Sequence, residues 1–426
     1  MIMFRGKRET ATVYLFDLVL LVWFLEIVFP PLNTLLVKRS PVCIACAFAS
    51  IFLYLVLRIR RTGAIPLKVV LILTVYFLMI LLPYMAGNGV IGNRYMALSL
   101  VFLGPIIFEF YRENGLLGHL KAILYIVGAF ALLTGIITYY NLLTDAYVSR
   151  SIKSRGEHSL DLERRGIGGY LLIYFVASVS LPILYVFLSE KRKRLKKWLF
   201  LLLYVFCLAF VVKSNYMTAF VTVLFCSLLM VFLHLVQGRG VRGRLLLFFV
   251  LAAFFVAALN FDKLLALLQD FIPSRIASVI YSGEEGVLQS IFTEFKEDRW
   301  PTVAESLRSF SEHPLLGLCF SGRMTYNHGF LSGFGQHSFI ADTLAIYGAV
   351  FGIALIWIVF RPIRFYRRER VNALSWAMGI CILALYFLNN ATESIALSVG
   401  VVYPLVRELQ RERSAAEPKA EEGEET

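Results

Sequence analysis

The chain has 426 residues, of which 58% are hydrophobic and 17% charged, with a formal net charge of +13. A water-soluble domain of this length must solvate its surface and carries more charge, so the composition excludes one. A positive balance of this size would suggest nucleic acid in a soluble protein. Here the basic residues fall between apolar runs, and membrane topology accounts for them.

A helix needs roughly 17–25 apolar residues to cross the hydrocarbon core. Runs approaching that length recur along the chain, at 13–29, 69–86, 171–188, 245–259 and 344–360 among others. The short alternating segments of a transmembrane β-barrel are not the pattern. The sequence therefore predicts an all-α polytopic bundle with spans near 12–29, 40–57, 66–86, 95–111, 120–140, 167–189, 198–212, 218–236, 245–260, 339–360, 373–389 and 392–407. The seventh and last are short for spans, and Lys38 and Arg39 fall on the expected outer side. Arg5, Lys7 and Arg8 precede a full-length apolar run, which reads as an uncleaved first helix rather than a cleaved leader. Five of the six cysteines, at 43, 46, 207, 226 and 381, lie in apolar runs and act as small hydrophobes; Cys43-Ile-Ala-Cys46 has redox spacing but no βαβ context.

Basic residues cluster in every second connection: Arg58, Arg60 and Arg61; then Lys191 to Arg194 with Lys196 and Lys197; then Arg239, Arg242 and Arg244; then Arg361, Arg364, Arg367, Arg368 and Arg370. Such connections belong in the cytoplasm, and both termini with them. The chain then divides into nine spans (1–260), a large extracytoplasmic loop domain (261–338), three spans (339–407) and an acidic, disordered cytoplasmic tail (408–426). Within the loop, Trp300-Pro301 opens an amphipathic helix whose Val303, Leu307 and Phe310 share one face, and His313-Pro314 stops it. A helical cap of this kind lies against the membrane, and a transporter does not need one.

Topology explains the inner charges, so the outer ones carry the information. Five basic residues, Arg150, Lys153, Arg155, Arg164 and Arg165, occupy the smaller outer loop at 141–166. Arg164 and Arg165 stand at the membrane entry before Gly166, where a guanidinium fork suits a phosphate. The other three read as a solvated loop balanced by Glu157, Asp161 and Glu163. Lys213 ends the seventh span and either snorkels or meets an anion. The large loop adds Arg299, Arg308 and Arg323, with His313, His328 and His337. His337, at the mouth of the tenth span, could serve as a general base or hold a hydroxyl, or be an interfacial polar residue. No His-Glu-x-x-His pair, clustered Asp-x-Asp carboxylates, phosphate-cradling glycine loop or Gly-x-Ser-x-Gly elbow points to metal, nucleotide or serine chemistry.

Three features together resemble the O-antigen polymerase and O-antigen ligase superfamily of bacterial envelope enzymes. One is the layout of spans with a large outer loop between the ninth and tenth. Another is Arg299-Trp300, Leu307, Phe310 and His313-Pro314-Leu315-Leu316-Gly317; the third is Gly335-Gln336-His337-Ser338-Phe339 followed by a glycine-bearing helix with Gly348 and Gly352. Arg164-Arg165-Gly166 is similar to the arginine before the family's sixth span, whereas Ser214-Asn215 departs from the Ser-Arg that often opens its eighth. The resemblance implies a cofactor-free, metal-independent glycosyltransferase in the bacterial inner membrane, facing the periplasm. Its donor would be a glycan on undecaprenyl diphosphate. Its acceptor would be a second lipid-linked glycan in a polymerase or lipid A core in a ligase, with a chain-length regulator protein as a further partner and no nucleic acid. By this likeness Arg299 and Arg165 would bind the diphosphate, helped by Arg164, Lys213 and Arg308, and His337 would take the acceptor's proton. The run His337-Ser338-Phe339-Ile340-Ala341-Asp342 is closer to the polymerases than to the His-Asn of the ligases.

Two other classes compete. A lipid-linked oligosaccharide flippase would place charges deep in its spans and show internal repeats; only Asp17, Glu26 and Asp342 stand out, and no repeat is seen. A scaffold would use the cap to bind another envelope protein, for which clustered outer cations have no purpose.

Overall fold

A computed structural model describes residues 7–35, 39–89, 91–92, 96, 98–153, 157–189, 194–237, 300–320, 326–327, 330–331, 334–335, 337–365, 373–389 and 393–416. The expected span at 245–260 and Arg299 lie outside the described residues. Apart from a small antiparallel hairpin of Tyr326–Asn327 with Phe330–Leu331, the described elements are helical. They are α1 (Lys7–Val28), α2 (Pro30–Leu35), α3 (Arg39–Thr62), α4 (Leu67–Met85), α5 (Ser99–Glu113), α6 (Leu117–Thr144), α7 (Glu157–Arg164) and α8 (Tyr170–Ser189). There follow α9 (Arg194–Lys213), α10 (Met217–Gln237), α11 (Trp300–Glu312), α12 (Phe339–Phe365), α13 (Ala373–Leu388), α14 (Glu393–Leu397) and α15 (Tyr403–Ala416).

Among the described residues seven helices are long and apolar enough to cross a membrane: α1, α4, α6, α8, α9, α10 and α12, with mean hydropathy of 2.1 to 2.5 over those stretches. The protein is an all-helical membrane protein to that extent. The seventh expected span is not short. α9 starts at Arg194 and has 20 residues, and the Nζ atoms of Lys196 and Lys197 lie 5.8 and 5.2 Å from the ring centroids of Phe200 and Phe187.

Two helices form the centre. Residues 99–111 of α5 are buried without interruption, as are α14 and most of the π turn Ser398–Val402 that follows it. They cross where glycines meet: a Cβ on Gly400 would stand 3.0 Å from the Gly104 Cα. Residues 393–405 therefore face protein rather than lipid, which is why that segment reads as a weak span and tolerates Ser394 and Ser398. α15 then runs on to Ala416, past the boundary expected at 407.

The polar residues in the spans tie helices together. Tyr111 Oη donates to Asp17 Oδ1 (2.5 Å), and His119 Nδ1 is 2.7 Å from Asp17 Oδ2, so one carboxylate joins α1, α5 and α6. Glu109 accepts from Arg361 (2.8 Å) and pairs with Lys68 (2.5 Å), while Arg58 pairs with Glu113 (2.6 Å). This ion-pair cluster gathers the ends of α3, α5 and α12 with the start of α4. It marks one end of the bundle.

Candidate functional site

The opposite end is fixed by hydrogen bonds between helix termini. Phe339 N, at the start of α12, donates to the carbonyl of Asn389 just past α13 (2.9 Å). Tyr174 Oη, in the first turn of α8, donates to Asn389 Oδ1 (3.1 Å). Tyr216, between α9 and α10, packs its ring 6.0 Å from Tyr170 and 6.1 Å from Tyr174. Arg164, Arg165, Lys213 and His337 therefore share this end, away from Arg361 and Glu109.

The Arg164–Arg165 corner is built by a helix stop. Gly166 adopts φ +81°, Ile167 N donates back to Leu162 O (3.1 Å), and Gly168 N donates to Thr138 Oγ1 on α6 (2.7 Å). Both arginines are exposed, and Arg165 pairs with Asp161 at 2.7 Å. Lys213 is half-buried at the last position of α9. His337 is exposed and directly precedes Ser338, whose Oγ accepts from Ala341 N (3.2 Å) and caps α12. His337 thus stands immediately before a capped helix start.

The cap helix α11 is seated on α12 by a hydroxyl. Ser306, fully buried, donates to Asp342 Oδ1 (2.7 Å) and accepts from Gly335 N (2.9 Å). The buried face is Val303, Ser306 and Ser309, with Leu307 and Phe310 half-buried beside it. The face expected from the apolar residues is thus rotated toward the serines. Small side chains let the backbones approach, so closely that a Cβ on Gly335 would overlap the Thr302 backbone. Trp300, Leu315, Leu316 and Phe320 remain exposed on the cap, as suits a surface resting on a bilayer.

The second contact breaks a span. Inside α12, Gly348 has φ 64° and ψ −168°, which interrupts the helical ladder. The turn after α11 fills the break: Ala349 N donates to Pro314 O (2.8 Å) and Val350 N to Leu315 O (3.3 Å). Gly317, at φ 68°, lies against the Ile346 carbonyl. The His313-Pro314-Leu315-Leu316-Gly317 segment and Gly348, far apart in sequence, form one joint.

Arg308 lies on the outward face of α11, 81% exposed and 3.2 Å from Glu312. The two faces of α11 give a direct contrast. Ser306→Ala should cost about 1–3 kcal/mol, because it orphans a buried carboxylate oxygen and a buried N–H. Arg308→Ala should cost no more than about 0.5 kcal/mol, since an exposed i,i+4 pair contributes little. Thermal unfolding of the detergent-purified variants distinguishes the two.

Five residues at this end were not singled out by sequence reasoning as a site. Tyr170, Tyr174 and Tyr216 form an aromatic group, Asn389 joins it to α12, and Arg150 lays its guanidinium 5.6 Å over the Tyr216 ring. Arg150 had read as a solvated loop residue. The i,i+4 tyrosines opening α8 and the Asn389-Asn390 pair in an apolar segment were the available signals. Among the described residues no three His, Cys, Asp or Glu side chains gather closely enough to hold a metal. Compared with known proteins, the chain matches no family profile and no curated relative.

Proposed function

We propose that the protein is a glycosyltransferase that polymerises undecaprenyl-diphosphate-linked oligosaccharide repeat units into a surface polysaccharide, at the outer face of a bacterial plasma membrane. In this reading about twelve helices span the membrane, both termini are cytoplasmic, and the α11 end of the bundle faces outward. The observation that carries it is the joint between α11 and α12: a cap docked into a broken span, beside an exposed histidine on a capped helix start.

The chemistry is a direct displacement at the donor's anomeric carbon. His337 accepts the proton of the acceptor hydroxyl, the hydroxyl oxygen forms the new glycosidic bond, and undecaprenyl diphosphate departs with the electron pair of the broken C–O bond. Negative charge grows on the diphosphate as that bond breaks, so fixed cations there favour the transition state over the bound substrate. Arg164, Arg165 and Lys213 share the end that carries His337, and Arg299 directly precedes α11 in the chain. Arg308 would meet a diphosphate only from the outward side of the cap.

The test uses purified full-length protein and the lipid-linked glycan that accumulates in a strain lacking it, in the presence of EDTA. A ladder of longer glycans is the expected result. No ladder with that glycan, but transfer to added lipid A core, would replace polymerase with ligase; neither product would overturn the glycosyltransferase reading.

A further inference from the structure

The aromatic group contains polar atoms that the fold leaves without partners. Asn215 is 1% exposed, and among the described residues neither its Oδ1 nor its Nδ2 finds a hydrogen bond. The same holds for Tyr216 Oη, for Asn389 Nδ2 and, next to Arg150, for Ser149 Oγ; Ser149 and Asn389 are 1% and 4% exposed. A buried polar atom without a partner costs about 1–3 kcal/mol, and folded proteins carry few of them. Five such atoms fall in this neighbourhood, while others are spread through the bundle. Asn215 also has φ 62°, the one positive φ outside glycine among the described residues, the left-handed conformation that asparagine readily takes just past a helix end.

The neighbourhood is continuous. Arg150 covers Tyr216, and Tyr216 touches Tyr170 and Tyr174, whose own ring centroids lie 4.4 Å apart. Tyr174 holds Asn389, and Asn389 holds the first turn of α12, two residues beyond His337. Arg150 and Tyr170 are half-buried at the rim, whereas Tyr174, Asn215 and Asn389 are buried. Burial pushes the Tyr216 hydroxyl up to about 12, against the opposing pull of the Arg150 guanidinium, so it stays protonated and can donate.

Three aromatic rings set at angles to one another, carboxamides offering both a donor and an acceptor, and a guanidinium together match one class of ligand. A pyranose ring has an apolar C–H face for an aromatic ring and hydroxyls that donate and accept around its edge. A bare phosphate would need cations rather than three tyrosines, and an acyl chain would leave the carboxamides unsatisfied. We infer that Tyr170, Tyr174, Tyr216, Asn215 and Asn389, with Arg150, form a sugar-binding subsite that holds a ring of the glycan next to His337. The inference rests on the glycosyltransferase reading and assigns it a specificity-determining surface.

The deciding measurement is binding of free, fluorescently labelled glycan, released by mild acid from the lipid that accumulates in the deletion strain. Full-length wild type, Tyr216→Phe, Asn389→Ala and His337→Ala would be titrated in detergent, with chain extension assayed in parallel. Tyr216→Phe and Asn389→Ala should each weaken binding by about 10-fold, the effect of one lost buried hydrogen bond. The KM for glycan should rise by a similar factor while kcat stays within about 3-fold, since ground-state and transition-state binding fall together. His337→Ala should bind the glycan as wild type does and fail to extend it. Because the Tyr216 hydroxyl finds no hydrogen bond among the described residues, Tyr216→Phe should leave the unfolding temperature unchanged or raise it, and it carries the test if Asn389→Ala fails to fold. Wild-type affinity in a folded Tyr216→Phe, with extension intact in wild type, would overturn the subsite and leave the proposed function standing. A wild-type protein that neither binds nor extends the glycan would overturn both.

Discussion

Gly348→Ala should be strongly damaging, with loss of about 4 kcal/mol or more of stability and little folded protein recovered in detergent. Two costs add. An L-residue at φ 64° and ψ −168°, a combination nearly confined to glycine, loses on the order of 1–3 kcal/mol, and the new Cβ would stand 2.2 Å from the Leu315 carbonyl oxygen, a backbone atom that cannot rotate away. Relief would require the turn after α11 to withdraw. That would strip Ala349 N and Val350 N of their acceptors inside a span, where unpaired backbone groups are most costly. Gly317→Ala, whose Cβ would lie 2.4 Å from the Ile346 carbonyl, should behave similarly from the other side of the joint. Gly128→Ala is the control. It lies in α6 with nothing within 4 Å of the added carbon, so removing a helical glycine should be neutral or stabilise by about 0.5–1 kcal/mol. Fluorescence-detected size exclusion and thermal unfolding read all three. A Gly348→Ala protein that unfolds at the wild-type temperature would show that the docked turn is not what holds the break.

The joint also shows what hydropathy could and could not reveal. Long lipid-facing helices such as α9 and α10 follow directly from apolar content, because their environment is uniform and each residue contributes separately. The central α5 and residues 393–405 are less apolar, since protein surrounds them and serines or glycines there serve close packing. Helix α11 was legible from Trp300-Pro301 and His313-Pro314, yet its packing face was not. Apolar periodicity points to Leu307, whereas the contact is organised by Ser306 and its bond to Asp342. Gly348 carries no local sign of a break; its conformation depends on residues 314 to 317 arriving from another element. The arginines and His337 were candidates in the sequence because charge beside an apolar span, away from the basic connections, is unusual. The tyrosine and asparagine group could not, since a tyrosine near a membrane interface is ordinary. Only the convergence of three separate chain segments, with polar atoms left unpaired, makes it stand out.

His337→Ala should lower the rate of chain extension by about 10²–10⁴-fold, the usual contribution of a positioned general base. The side chain is exposed, so the substitution should change stability by no more than about 1 kcal/mol. Ser338, not His337, caps α12, and the cap, the Asn389 contact and the Ser306 network all remain in the variant. The loss should therefore fall on kcat, with KM for both glycans nearly unchanged. A pH profile separates this role from one of mere positioning. In wild type the rate should fall on acidification as the imidazole takes up a proton and can no longer accept one from the acceptor hydroxyl. In His337→Ala the residual rate should lack that fall. If the variant keeps the acid dependence, another group accepts the proton and His337 only orients the hydroxyl. If it keeps the full rate, the catalytic centre is elsewhere, and the joint between α11 and α12 is then a structural clamp on that end of the bundle.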